Sequence, residues 1–358
     1  MRGIPQVRAE AVDALRALAL LPVVVVNAMT YAEMPGGNFF PSLTDAVLLD
    51  AAAVFAVAAL LQGKGIALLM FLFGYSLTWS RDARLRLRRL LPLGLLHGTF
   101  VYLGDIVHQY ALLGRWVWRA KRWRWPRLVR AVWVWGLIGI ALLGLGMLAV
   151  LWAPSEIDGT SARLVAVPSW SDWFRLNAAS FWTDLPWMLL LMGPFALASI
   201  YAGLAAGRLR LLHHPRWRAR WAQAARWAPW ALALNLAYAG AMVWALHDAP
   251  LWAVGLTGWM VGLGPLTLMA WVPWLLLRSR WPRWLVLAGR NTLSMYVGSS
   301  LLIVAVLSGP GGAWRASPSA LALGALLAWG ALAAGSAWCA ARGQRLPLEA
   351  WVAHRREA

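Results

Sequence analysis

The sequence predicts an all-α polytopic membrane protein, a bundle of about ten transmembrane helices. Three observations predict it. Hydrophobic residues make up 61% of the 358-residue chain and charged residues only 13%, against about a quarter in a soluble domain. Apolar runs of roughly twenty residues recur from end to end, and each is long enough to cross a bilayer as a helix. The basic residues are also clustered: 26 of the 33 Lys and Arg fall in 81–89, 115–130, 208–226, 278–290 and 342–356. Strand patterns do not alternate with helical ones, which excludes a soluble α/β protein. Lipid tolerates no irregular exposed backbone, so the spanning elements are helices. The chain reads as one integral membrane domain, 1–358. Residues 1–130 carry the polar motifs, 131–226 hold spans around an outer loop, and 227–358 hold the last spans and a basic tail.

The first segment, 10–29, lacks a small-residue cleavage site and carries Asp13 and Arg16. It therefore reads as a retained helix and not a cleaved leader. Residues 46–80 are too many for one helix, and "QGKG" at 62–65 breaks them. The expected arrangement is an interfacial or re-entrant helix over 46–61 and a crossing over 66–80; two true crossings would raise the count to eleven. The clusters then set the rest, because arginine-rich loops stay on the cytoplasmic side. Segments 131–153 and 183–207 cross as a pair, as do 227–246 with 251–277 and 291–308 with 319–341. The outer connections 154–184, 247–250 and 308–318 hold only three basic residues, Arg163, Arg175 and Arg315. Arg2 and Arg8 place the N-terminus on the cytoplasmic side, and the Arg-rich tail places the C-terminus there.

Within the outer connection, "SWSDWFRLNAASFW" starts at a capping-type Ser169 and spaces Trp170, Trp173, Phe174 and Trp182 almost helically. It is expected to lie on the outer surface of the membrane, over the bundle. "RWVWRAKRWRWPRLVR" (115–130) interleaves arginine with tryptophan. It reads as helix ends anchored at the interface, where each basic residue attracts anionic headgroups by about 1 kcal/mol. Membrane lipids are thus the expected partners, and nucleic acid is not. Cys339 is the sole cysteine, so no disulfide forms within the chain.

Polar residues are concentrated in "LLHGTFVYLGDIVHQYALLG" (95–114), between two arginine clusters. Two full crossings need about forty residues, and Arg89 and Arg115 are separated by far fewer. The Gly104-Asp105 tip must then lie at or below the outer interface, where a carboxylate is tolerated only against protein or a water-filled cavity. Asp105 is expected to face the bundle interior; it meets His97 if the chain turns at Gly104, or else the two act at opposite ends of one cavity. Asp105, His108 and Gln109 follow i, i+3, i+4 spacing, with Tyr110 beside them. The group is either a structural knot or an intramembrane acid–base site. In the first helix, Arg16 and Asn27 project within about 20° of each other, with Asp13 roughly 60° away. They form one polar stripe, either a buried ion pair with a packing amide or part of a site.

These motifs resemble the YeiB-like family of bacterial multi-pass membrane proteins, known as domain of unknown function 418, over nearly the whole chain. Arg8, Asp13, Arg16 and Asn27 match the opening motif; Leu72, Phe73 and Gly74, after Lys64, match Leu-Phe-Gly. Gly94, His97, Gly104, Asp105, Ile106 and Tyr110 match the most specific element. "GRNTLSMY" keeps Gly289, Arg290, Leu293 and Tyr296, and "LPLEAW" keeps Pro347 and Glu349. The chain departs from the pattern at Ala17, Gly65 and Ser299, and His108 is not a family position. The resemblance extends to transmembrane acyltransferases that acylate extracytoplasmic sugars, whose first-helix motif is similar to "DALRALA"; they end that helix in histidine where this chain has Asn27.

The resemblance implies a bacterial cytoplasmic-membrane protein that moves an acyl group from cytoplasmic acyl-CoA to an extracytoplasmic glycan or lipid. His97 would be the base and Asp105 its orienting carboxylate. Arg16, Arg290 and the 81–89 cluster would face the CoA phosphates. Asp13, Asn27, Tyr110 and Tyr296 complete the expected binding set, with acyl-CoA a co-substrate and no metal or permanent cofactor. Two other readings use the same residues: a proton-coupled transporter with Asp105 and His97 as relay and Arg16 or Arg290 as anion site, and a non-catalytic assembly protein.

Overall fold

A computed structural model describes residues 10–33, 47–80, 82–152, 167–248, 250–278, 280–312 and 316–353, together with Leu43, Leu164 and Trp314. The described residues are helical, without strands, and belong to a multi-pass membrane protein. Seven helical stretches among them are long and apolar enough to cross a membrane. A shorter apolar helix, Gly255–Ala270, and the two short arms of the 90–114 hairpin accompany them.

Helix α1 (Glu10–Glu33) sits at the centre, against α3 (Lys64–Trp79) and the C-terminal helices α12 (Arg283–Ala288), α13 (Thr292–Leu307) and α14 (Pro318–Ala341). Its inward positions are small or aliphatic: Ala14, Leu15, Ala17 and Ala19 are fully buried. Small side chains let membrane helices approach closely where no hydrophobic effect drives them together. The hairpin is α4 (Ala83–Phe100) and α5 (Val107–Trp118), packed on α7 (Trp170–Leu209). Helix α6 (Trp125–Trp152) lies outermost on α7, and α10 (Pro250–Thr267) joins it to α9 (Ala228–Asp248). Helix α2 (Leu48–Leu60) packs between α9 and α14 and closes the ring.

The arginine clusters meet at one end of the bundle. Arg208, in α7's last turn, donates to the carbonyls of Trp123 and Lys121, both at 2.8 Å, and Lys121 donates to the Ser80 carbonyl at 3.0 Å. Arg89 donates to the Trp351 carbonyl at 2.6 Å, which brings α15 (Pro347–Ala353) to the same end. The helices therefore run between a basic end and an opposite end, as the cluster pattern predicts.

Two expectations need correction. Residues 46–61 were expected as an interfacial or re-entrant helix; α2 is packed into the bundle, which excludes the interfacial arrangement. Asp50 accepts from the Ser319 amide (3.0 Å) and hydroxyl (2.6 Å) at the start of α14. The other end of α2 reaches Gln62, which donates to Thr257 at 3.0 Å and accepts from Tyr238 at 2.5 Å, midway along α10 and α9. Thirteen residues are too few to cross, but α2 and α3 together make one interrupted crossing, Leu48–Trp79.

The stretch 154–184 was expected as a connection, with its amphipathic part separate from the crossing at 183–207. Residues 153–163 and 165–166 lie outside the described residues, as do Arg163 and Arg315. From Trp170 onward the chain is one 40-residue helix that continues through Pro186 and Pro194. Ser169 does cap it, accepting from the Asp172 amide at 3.1 Å. Its first turns do not lie on the surface: Trp173 and Phe181 are fully buried against the hairpin and α1, while Trp170, Phe174 and Trp182 stay exposed.

Candidate functional site

Helix α5 has only twelve residues, about 18 Å of rise against roughly 30 Å of hydrocarbon. The turn 101–106 therefore falls inside the bundle. Gly94 lets the arms close: a Cβ there would stand 2.2 Å from the His108 amide nitrogen. Helix α4 ends as the Val101 and Tyr102 amides both donate to the His97 carbonyl at 2.8 Å. The exposed carbonyls of its last turn find a partner on α7, where Asn177 donates to Gly98 (3.0 Å) and Thr99 (2.8 Å).

Asp105 follows that turn and is completely buried. Its Oδ2 accepts from the His108 amide at 2.8 Å, a bond of the N-capping type at the start of α5. The same oxygen accepts from His108 Nδ1 at 2.8 Å, and Oδ1 accepts from His97 Nδ1 at 2.9 Å. A carboxylate only accepts, so both imidazoles carry hydrogen on Nδ1. When neutral, each therefore keeps a lone pair on Nε2, and both Nε2 atoms are buried without a hydrogen-bond partner among the described residues. The two rings have different surroundings. His97 lies against Tyr296, with centroids 5.1 Å apart, and His108 meets the edge of Phe181 at 5.4 Å.

Tyr296, on the second turn of α13, reaches the hairpin from 190 residues further along the chain. Its hydroxyl accepts from the Ile106 amide at 3.3 Å and donates to Asp105 Oδ1 at 3.4 Å. The other side of Tyr296 lines a cavity of about 470 Å³. Leu20, Leu69, Leu72 and Phe73 form its apolar wall, and Arg16, Arg86, Arg290 and Arg345 bring four guanidinium groups to it. Tyr110 also lines it, stacked on Phe73 at 5.2 Å, with its hydroxyl buried and unpartnered among the described residues. The cavity opens at the basic end, among the exposed Gly343, Gln344 and Arg345.

The expected residues thus divide into three sets. His97 and Asp105 do meet through the turn at Gly104, with His108 joined to the same carboxylate. Arg16, Tyr110, Arg290 and Tyr296 share the cavity. Asp13 lies behind Arg16, accepting from it at 3.1 Å, while Arg16 also donates to the Ser76 hydroxyl. Gly289 makes this meeting possible, since a Cβ there would stand 1.8 Å from the Asp13 carbonyl oxygen. Asn27 is not part of it: about 16 Å of helix rise separates it from Arg16, and it does not line the cavity. The one shared chamber expected for His97, Asp105 and an arginine is likewise divided, because Tyr296, Ile106 and Val107 form the wall and the carboxylate stays behind it.

Two participants had no site role assigned to them from the sequence. Glu349 of α15 accepts from the Ser294 amide (2.8 Å) and hydroxyl (2.5 Å) at the start of α13, and its helix closes one side of the cavity. Its signal was its place in "LPLEAW". Ser76, the hydroxyl that holds Arg16, had no signal in its own neighbourhood. Among the described residues, no group of three or more His, Cys, Asp or Glu is placed to hold a metal ion. Comparison with protein-family models, with curated proteins and with solved structures gives no match.

Proposed function

We propose that the protein is a YeiB-like acyltransferase of the bacterial cytoplasmic membrane, with its basic end and both termini on the cytoplasmic side. The observation that carries this reading is a carboxylate-oriented imidazole directly behind the closed end of an apolar cavity rimmed by arginine. The arginines suit the phosphates of an acyl-CoA, and the apolar wall suits its pantetheine arm and acyl group. His97 is the better base, because its ring borders Tyr296, which lines the cavity, while His108 borders Phe181. Rotation of the Tyr296 ring opens the partition between thioester and imidazole. His97 Nε2 then takes the proton of the acceptor hydroxyl as oxygen attacks the thioester carbon. The C–S bond breaks, and the thiolate leaves as free CoA once it gains that proton. The acceptor is a glycan or lipid hydroxyl on the far side of the partition.

Incubation of the purified protein with radiolabelled acetyl-CoA and a membrane glycan or lipid extract tests the reading. The expected result is release of CoA thiol with label on the acceptor. Acetyl-CoA left unconsumed under every acceptor condition overturns it. A second reading, a proton-coupled transporter, draws support from the interrupted crossing at 61–63, a feature of many transporter sites. It predicts substrate uptake by proteoliposomes without CoA chemistry.

A further inference from the structure

The segment "RWVWRAKRWRWPRLVR" takes no part in the cavity. Its middle, Arg119–Arg122, is a short 3-10 turn between α5 and α6. That turn is fixed from two sides, by Arg208 on the carbonyls of Trp123 and Lys121 and by Lys121 on Ser80. Trp123 also stacks on Tyr201, with ring centroids 5.7 Å apart. On either side of the fixed turn an exposed arginine lies over a tryptophan. Arg84 covers Trp118 at 4.4 Å, and Arg127 covers Trp123 at 4.2 Å. Neither guanidinium pairs with a carboxylate among the described residues. A guanidinium placed over an indole face and not paired with a carboxylate keeps N–H donors for a phosphate, which arginine can receive bidentately.

The surface next to the turn is apolar. Only 17% of the α6 crossing window is buried in the bundle, and Trp133, Leu137 and Leu145 are 60–67% exposed on its outer side. Cationic forks at the end of a lipid-facing helix suit an amphiphile, with an anionic head at the arginines and acyl chains along α6. Nucleic acid would find the same charge but no use for the apolar stripe.

We propose that the α5–α6 turn is a docking site for anionic phospholipid, with the Arg84–Trp118 and Arg127–Trp123 pairs each offering a guanidinium to a lipid phosphate. The site rests on the protein's membrane character and is independent of the acyltransferase reading, so either can fail without the other.

The test uses the purified full-length chain in a neutral detergent and follows thermal unfolding by tryptophan fluorescence. Phosphatidylglycerol is titrated, with phosphatidylcholine, inorganic phosphate and a short RNA as separate arms. Phosphatidylglycerol is expected to raise the unfolding temperature saturably, and the other three to leave it unchanged. In the double variant R84K/R127K the charge persists but the planar fork is lost. Its half-saturating lipid concentration should rise about tenfold, the equivalent of one good charge-assisted contact. The control R218K/R220K alters exposed arginines that stack on no ring and should respond like the parent. Native mass spectrometry of R84K/R127K reads retained lipid directly if its unfolding temperature is already shifted without lipid. Equal phosphatidylglycerol responses in parent and R84K/R127K overturn the proposal, leaving charge alone as the attraction. A response to phosphatidylcholine, inorganic phosphate or RNA equal to that to phosphatidylglycerol also overturns it.

Discussion

Residues 101–106 and residues 61–63 both interrupt a helix inside the bundle, and each places a charge there. At the first, Asp105 receives three hydrogen bonds of 2.8–2.9 Å, the length of charge-assisted bonds. At the second, Lys64 is equally buried but meets only carbonyl oxygens, Gln62 at 3.3 Å and Ala58 at 3.5 Å. Ala58 belongs to the last turn of α2, whose free carbonyls form the negative end of a helix dipole. No carboxylate pairs with Lys64 among the described residues. The aspartate is held by donors that must themselves be oriented, and so it fixes the tautomer of two imidazoles. The lysine only offsets the end of a half-helix, and no cavity wall includes it. Burial of a charge is common to both sites. Directional coordination beside a cavity sets the first apart as the place for chemistry.

The largest effect that can sharpen this contrast is expected from Asp105→Ala. It leaves buried donors on His97 and His108 without an acceptor and should cost about 3–5 kcal/mol, read as a lower midpoint of SDS-induced unfolding. Gly94→Ala comes next. Its Cβ would stand 2.2 Å from the His108 amide nitrogen, so the hairpin arms must part, at roughly 1–3 kcal/mol. Loss of acetyl-CoA turnover should accompany the drop in midpoint. Tyr296→Phe keeps the ring and deletes the hydroxyl that meets Ile106 and Asp105. An unsatisfied Ile106 amide should lower the midpoint by about 1–2 kcal/mol. The smallest effect belongs to Lys64→Met, which replaces a weakly coordinated charge with an apolar chain of similar length. Such replacements are often neutral or stabilising, so the midpoint should fall by less than about 1 kcal/mol. A loss as large as that of Asp105→Ala would show that the two interruptions are coordinated alike.

The hairpin was legible because its evidence is local. Too few residues separate Arg89 from Arg115 for two crossings, so the tip must lie inside, and a turn at Gly104 returns Asp105 to His97. The clusters likewise fix which helix ends share a face. Contacts made across the bundle leave no such trace. Tyr296 reaches Asp105 across 191 positions, and nothing near either residue shows that its ring divides the cavity from the carboxylate. The α2 segment was misplaced because thirteen residues cannot cross alone; its crossing depends on joining α3 through a break stabilised by Gln62, Tyr238 and Thr257. The continuity of α7 was hidden by Asp172, Arg175, Asn177 and Asp184, whose polarity made 154–184 read as a connection separate from the crossing. Asn27 shows the converse, since shared azimuth on one helix does not bring two residues to the same depth.

The most direct test of the central claim is the rate of CoA release from acetyl-CoA, with the membrane glycan or lipid extract as acceptor, by the purified protein and its His97→Gln variant. Glutamine can still donate to Asp105, so the fold and the unfolding midpoint should be preserved while the base is lost. The account predicts measurable release by the parent chain, a fall of about 100-fold or more in His97→Gln, and near-parental release in His108→Gln. Release by His97→Gln equal to that of the parent would contradict the assignment of His97.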